Sequence, residues 1–168
     1  MMDFFFYVAA SVAISSTVLF VIAPNAVHAL LNLILSFLAI AVIFLLLGAP
    51  FAAALEVIIY AGAVMVLFVF VIMMLQVGPK SVEQERRWIG IRIWWVPVGL
   101  AMLLLAEVGT LIATGAVTAE SGPRRVGPEE VGLVLLSRYL LAVELASLLL
   151  LPGILGAYYL GRRRREDP

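Results

Sequence analysis

The chain has 168 residues, of which 64% are hydrophobic and 13% charged, and its mean hydropathy is +1.14. A soluble domain of this size cannot hide so much apolar surface, so lipid must be part of its solvent. The basic residues are scattered between hydrophobic segments, which argues against a nucleic-acid-binding fold. Cysteine is absent, which excludes disulfides, haem attachment and cysteine-ligated iron–sulfur clusters, and a lone His28 cannot build a metal site.

Five hydrophobic segments are each close to the roughly 20 residues that a membrane-spanning helix needs. Their apolar runs are continuous, whereas the strands of a membrane β-barrel alternate. The first segment lacks a basic start and is too long for a cleavable signal, so we interpret it as a retained span. The sequence therefore predicts an all-α polytopic protein with one membrane domain over residues 1–168 and five transmembrane helices, at residues 4–22, 26–47, 52–75, 93–113 and 139–160.

The connections between these segments differ in length. Pro24-Asn25 and the stretch Gly48 to Pro50 separate the first three, which are therefore expected to be antiparallel neighbours. The only long connection is residues 114–138. Its apolar end, GLVLLSRY at residues 132–139, either lies along the membrane interface or extends the last helix.

The orientation follows from the basic residues that flank the spans, because these accumulate on the cytoplasmic side. One side carries three of them, Arg124, Arg125 and Arg138. The other carries eight, namely Lys80, Arg86, Arg87, Arg92 and Arg162 to Arg165. The sequence therefore predicts an external N-terminus and a cytoplasmic C-terminus.

Three glutamates, Glu56, Glu107 and Glu144, fall inside the predicted spans. Their offsets from the span ends, at about 1.5 Å per residue, put all three about 6–9 Å below the outer surface, where they could form one acidic layer. No Lys or Arg lies at that depth to neutralise them. Either they are protonated packing residues, or they meet water, or another protein supplies a partner; a buried protonatable group is also what a proton relay requires.

The third span contains further unusual residues. Tyr60 follows Glu56 by four positions, so the two share a helix face, and its hydroxyl could extend a hydrogen-bond path or simply bond a neighbouring helix. Gly62 permits either close helix packing or a local widening of the helix into a π-bulge. His28 and Asn32 share a face of the second span, where interfacial hydrogen bonding and a proton entry point are the alternatives. We find no nucleophile–base pair, phosphate loop or metal cluster, so no catalysis is predicted on this chain.

Three segments together resemble a known family. EVIIYAGAVMVLFVFVIMML, residues 56–75, resembles the signature third helix of the J subunit of bacterial respiratory complex I, the counterpart of mitochondrial NADH dehydrogenase subunit six. NAVHALLNLILSF, residues 25–37, is similar to the family's second helix, and SRYLLAVELASLLLLPGILGA, residues 137–157, is similar to its fifth. The three matches occur in the family's order and include Glu144.

The resemblance implies a core membrane-arm subunit of the proton-pumping NADH:quinone oxidoreductase of the bacterial inner membrane. Such a subunit is non-catalytic, and NADH, FMN, the iron–sulfur clusters and quinone belong to other subunits. The implied partners are other membrane-arm subunits and the lipid bilayer.

In the family, the third helix can carry a π-bulge whose rearrangement is associated with opening a water path near the quinone-coupling region. Carried over residue by residue, this role falls on the stretch from Tyr60 through Gly62 to Met65, with Glu56 and Glu144 as possible participants. Two other readings stay open. One is a subunit of a related cation/proton antiporter or membrane-bound hydrogenase assembly, and the other is a stand-alone small transporter or structural anchor.

Overall fold

The computed structural model describes residues 2–75, 91–115 and 126–161. Among these residues, five helices are long and apolar enough to cross a membrane: Met2–Ile22, Ala26–Leu46, Pro50–Met74, Trp94–Ala113 and Leu140–Gly161. The predicted all-α fold with five candidate spans is therefore confirmed. Most of the basic residues that set the predicted orientation (Lys80, Arg86, Arg87, Arg124, Arg125 and Arg162 to Arg165) lie outside the described residues, so that orientation stays a prediction.

The first two helices form a tightly packed hairpin. Helix α1 covers Met2–Ile22 and α2 covers Ala26–Leu46. Asn25 caps α2, because its side-chain oxygen accepts hydrogen bonds from the backbone N–H groups of Val27, at 2.8 Å, and His28, at 3.3 Å. Such a cap satisfies amide groups that a helix start leaves without partners. The two helices are also joined by a hydrogen bond of 2.8 Å between the hydroxyls of Thr17 and Ser36.

The third span consists of three pieces: α3 (Pro50–Leu55), a π-helical segment (Glu56–Val64) and α4 (Met65–Leu75). Gly48 reverses the chain ahead of it with a φ of 80°, a conformation that favours glycine. Pro50 occupies the first turn of α3, where its missing N–H needs no partner, so the helix begins two residues before the predicted start. All three pieces pack against α2.

Helix α5 (Ile91–Ala113) packs against both α1 and α2. The core that these three helices share contains small residues, notably Ala9, Ala13 and Ala39, which allow the backbones to approach closely. The larger members of this core are Val12, Val42, Leu104 and Leu111. This three-helix core gives α2 fixed neighbours on one side, while the third span lies along α2 as well.

The described residues fall into two compact units, a first that ends at Val126 and a second that runs from Gly127 to Gly161. The second unit contains α6 (Pro128–Ser137) and α7 (Leu140–Gly161), separated by a turn at Arg138 and Tyr139. The segment predicted to lie at the interface or extend the last helix is thus a separate helix that already begins at Pro128. Gly127 and Pro128 explain this start, since proline is favoured in the first turn of a helix. The single domain predicted over the whole chain stays a prediction.

Candidate functional site

The middle of the third span departs from α-helical geometry. On one side of the π segment, the Glu56 N–H donates to the carbonyls of Ala52 and Ala53, as in an ordinary helix. On the other, the Met65 N–H donates to the carbonyls of Gly62 and Tyr60, and the bond to Tyr60 spans five residues. Most π-helical stretches are single-turn bulges and frequently mark functional sites. Of the two alternatives at Gly62, widening of the helix is present, and at nine residues it extends well beyond Gly62.

Gly62 is matched to this widened geometry. A Cβ atom at Gly62 would lie 3.1 Å from the carbonyl oxygen of Val57, which is closer than side chains normally tolerate. The contact is to backbone five residues earlier, the same spacing that defines the π-helix. A side chain at this position would therefore disfavour the π form, and glycine admits it.

Two side chains hold the π segment to its surroundings. The Tyr60 ring packs on Phe37 of α2, with ring centroids 5.4 Å apart and planes tilted by 43°. Met65, the first residue of α4, is only 2% exposed. Between Glu56 and Val64 no residue is buried. The segment packs along α2, but because none of its residues is buried, much of its surface is not covered by the first compact unit.

Glu56 and Glu107 lie at the same level along α2. Counting residues from the Tyr60–Phe37 contact puts Glu56 level with Ala41. Counting from the contact of the His28 and Trp94 rings, whose centroids are 5.1 Å apart, puts Glu107 level with Ala41 too. The structure thus places these two at one level, but on helices that an apolar cleft separates, so the acidic layer stays a prediction. Glu144 is an exposed residue of the second unit, so its place in the layer stays a prediction.

An apolar cleft of about 680 Å³ separates the helices that carry these two carboxyls. Its floor is α2, and its walls include Val57 and Ile58 of the third span and Leu104 and Leu105 of α5. Neither Glu56 nor Glu107 lines it. Glu107 is instead buried, and neither of its carboxyl oxygens has a hydrogen-bond partner among the described residues.

His28, the other predicted candidate, is also buried. Its Nδ1 lacks a hydrogen-bond partner in the part of the chain that the structure describes, and the Asn32 side chain donates to its backbone carbonyl at 3.0 Å. Two further buried polar residues, Ser16 and Ser36, were not predicted. The sequence does carry a signal for Ser36, since His28, Asn32 and Ser36 recur every four residues. Ser16 becomes visible only when α1 is packed against its neighbours.

The described residues contain no group of three His, Cys, Asp or Glu side chains that could hold a metal ion. They do contain protonatable groups within apolar helices, next to a span that changes from α-helical to π-helical geometry. These features define a polytopic helical membrane protein that has carboxyl groups within its spans and a π-helical segment in its third span.

The comparisons with known proteins make this class specific. Residues 16–160 match the family model of NADH-ubiquinone/plastoquinone oxidoreductase chain 6, so the chain belongs to this family. It is 52% identical to the NADH-quinone oxidoreductase subunit J of Pseudomonas aeruginosa, over 96% of this chain and 98% of that protein. It is 46% identical to the subunit J of Escherichia coli strain K12, over 98% of this chain and 89% of the relative. The subunit J of Rhodobacter capsulatus is 39% identical, over 98% and 83% of the two chains.

Proposed function

We propose that this chain is a membrane-arm subunit of a proton-translocating NADH:quinone oxidoreductase, and that it couples quinone reduction to proton movement through its third span. The near-full-length similarity to subunit J proteins supports the first part. The π segment from Glu56 to Val64 is the observation that supports the second. The chain contributes no redox chemistry, and NADH, FMN, iron–sulfur clusters and quinone are bound by other subunits.

The coupling element has two parts in this proposal. The π segment and its glycine supply a stretch of helix that can adopt two hydrogen-bonding patterns, which is what a gate requires. Glu56, and Glu144 from the last span, supply protonatable groups whose access to water changes with that pattern. Met65 and Tyr60 hold the segment in its present form.

The proposal extends to the setting of the chain. It lies as a single domain in the bacterial inner membrane, with the N-terminus outside and the C-terminus in the cytoplasm. Within the first unit, the uncovered surface of the third span faces neighbouring subunits or lipid. A carboxyl such as Glu56 is tolerated there because neighbours supply water and hydrogen-bond partners.

Purification through a tag on this chain tests the assembly. From membranes dissolved in a mild detergent, we expect the tagged chain to bring down subunits that hold FMN and iron–sulfur clusters, in a preparation that oxidises NADH with quinone. The same tag on an unrelated five-span membrane protein is the control. Recovery of the chain alone would indicate a stand-alone transporter or anchor, and recovery with antiporter or hydrogenase subunits would indicate a related assembly; either result contradicts the proposal.

Tyr60→Phe tests whether a hydroxyl is needed beside the π segment. The variant keeps the ring that packs on Phe37 and removes only the oxygen, so assembly is expected to be normal. We expect proton pumping per NADH oxidised to fall, measured in sealed membrane vesicles with a pH-sensitive dye. Tyr7→Phe, at an exposed position of α1, is the matched control. Pumping equal to that of the unmodified protein would remove Tyr60 from the proton path and leave it a packing role.

A further inference from the structure

A second group of polar residues lies inside the core formed by α1, α2 and α5, apart from the π segment. We name it the polar column; its members are His28, Asn32, Ser36, Ser16 and Glu107. Each is at most 8% exposed. Every buried side-chain nitrogen or oxygen that lacks a hydrogen-bond partner among the described residues belongs to this group: Ser16 Oγ, His28 Nδ1, Asn32 Oδ1 and both carboxyl oxygens of Glu107.

The half of the column that begins at His28, near the start of α2, follows one face of that helix. His28, Asn32 and Ser36 are spaced by four residues, so they lie above one another and span about 12 Å at about 1.5 Å per residue. The Ser36 hydroxyl contacts Thr17 Oγ1 at 2.8 Å and donates to the Ala13 carbonyl at 3.2 Å. These bonds fix the register of α1 and place Ser16 at the level of Ser36.

The upper end of the column is Glu107. It shares a face of α5 with Leu104 and Leu111, which pack in the core with Ala9 and Val12 of α1. Counted from the His28–Trp94 contact, Glu107 lies about 20 Å from the His28 level and about 7 Å beyond Ser16. Helical side chains lean toward the N-terminus of their own helix. Because α1 and α5 run in opposite directions here, Ser16 and Glu107 lean toward each other across this gap.

The number of buried polar atoms without hydrogen-bond partners indicates that the column is hydrated. A buried polar atom without a hydrogen bond costs about 1–3 kcal/mol. Five such atoms in one core would approach the total stability of a typical domain, about 5–15 kcal/mol. Buried water commonly satisfies groups of this kind, making about three hydrogen bonds each. The distance of about 20 Å from end to end is most of a hydrocarbon core of about 30 Å.

We infer that the polar column is hydrated and lets the Glu107 carboxyl exchange its proton with water that enters at the His28 end. Each exchange is balanced: a hydronium ion beside Glu107 becomes neutral water when the carboxyl gains a proton, and a water beside it becomes hydronium when the carboxyl loses one. The other titratable groups on these helices are Asp3 and Tyr7, which are exposed, and Arg92 at the start of α5. From the third span, which also packs against α2, Glu56 and Tyr60 are the titratable groups. The inference stands on α1, α2 and α5 and does not depend on movement of the third span.

A thiol placed in the column tests its hydration, because a thiol reacts as the thiolate, which forms only where water reaches it. The chain has no native cysteine, so each introduced thiol is unique on it. In the intact assembly, we expect Ser16→Cys to react with methyl methanethiosulfonate at least about tenfold faster than Leu30→Cys. Leu30 is a matched control, since it is 4% exposed and lies on α2 two residues from His28 and Asn32, on the opposite face of the helix from the column. The rate is read from the mass of this chain.

If both variants react slowly and at the same rate, the core is dry and the inference is overturned. If both react fast and at the same rate, water reaches the whole core rather than a polar column, and the inference is overturned as well. If Ser16→Cys does not assemble, Asn32→Cys is compared with Leu30→Cys on α2 by the same criterion. Thiol reactivity is independent of turnover, so these results are separate from the fate of the coupling proposal. Glu107→Gln adds a functional measurement: we expect less proton pumping per NADH with unchanged electron entry, and normal pumping would overturn the role of Glu107.

Discussion

Gly62→Ala is expected to slow proton pumping about fivefold, while NADH oxidation with an artificial electron acceptor stays normal. Alanine is favoured over glycine in an α-helix by about 1 kcal/mol, which corresponds to roughly a fivefold change in population. In the π form its Cβ would also press on the Val57 carbonyl, at 3.1 Å. Both effects favour the α pattern, so the third span would exchange less readily between the two patterns on which the proposed gate depends. Pumping and acceptor-linked oxidation are measured on the same vesicles.

Gly109→Ala is the matched control for this prediction. It makes the same chemical change in the membrane-spanning part of α5, where an added Cβ meets nothing within 4 Å. We expect it to leave pumping unchanged, and Gly62→Leu to be more severe than Gly62→Ala. Normal pumping in Gly62→Ala would refute the gating role of the π segment. Parallel loss of pumping and of acceptor-linked oxidation would instead indicate failed assembly.

Removal of the carboxyl at Glu56 or Glu144 is expected to have the second large effect. On the proposed mechanism these groups take up and release protons inside the membrane, and alanine can do neither. We expect Glu56→Ala and Glu144→Ala each to lower pumping per NADH roughly tenfold, because electron transfer then proceeds without the proton uptake that these carboxyls would provide. The measurement is the proton-to-electron ratio in sealed vesicles.

Glu129→Ala serves as the comparison, because Glu129 is an exposed glutamate in the first turn of α6, outside the five candidate spans. It should pump normally. Unchanged ratios in both the Glu56 and Glu144 variants would return these residues to a packing role. Loss in only one of them would show which span carries the proton.

Hydropathy alone predicts the number and type of the spans, because each of the five apolar runs matches the thickness of a bilayer. The ends are less accurate where local chemistry decides them. Pro50 starts the third span earlier than predicted because proline fits the first turn of a helix. Gly127-Pro128 starts a separate helix, where the apolar pattern predicted a segment along the membrane interface or an extension of the last helix. Such signals are in the sequence, although they act through backbone geometry rather than hydrophobicity.

The candidate site is only partly visible in the sequence. Glu56 and Gly62 stand out because a carboxyl and a glycine are unfavourable in a membrane helix, and the glycine indicates a possible bulge. The length of the π segment is not encoded in composition, since hydrogen bonds over four and five residues suit the same side chains. Ser16 and Ser36 were missed because small hydroxyl residues are common in spans, and only packing reveals which of them are buried with Glu107.

The winding of the third span links its two ends mechanically. An α-helix turns by about 100° per residue, so conversion of a π turn to an α turn must rotate or shift the part that follows. Met65, at the start of that part, is almost fully buried and would have to leave its packing site. The five-residue hydrogen bond from its N–H to the Tyr60 carbonyl would be lost in the α pattern. A local change from π to α geometry would therefore rotate or shift α4.

The sparse coverage of the third span also has a cellular consequence. Apart from Ala53 and Met65, its residues that can be assessed remain at least partly uncovered. A newly inserted copy that finds no neighbours keeps a carboxyl and a loosely held π segment accessible within the bilayer. Cells remove poorly packed proteins with chaperones and proteases, so we expect surplus copies to be cleared and the abundance of this chain to follow that of its neighbours.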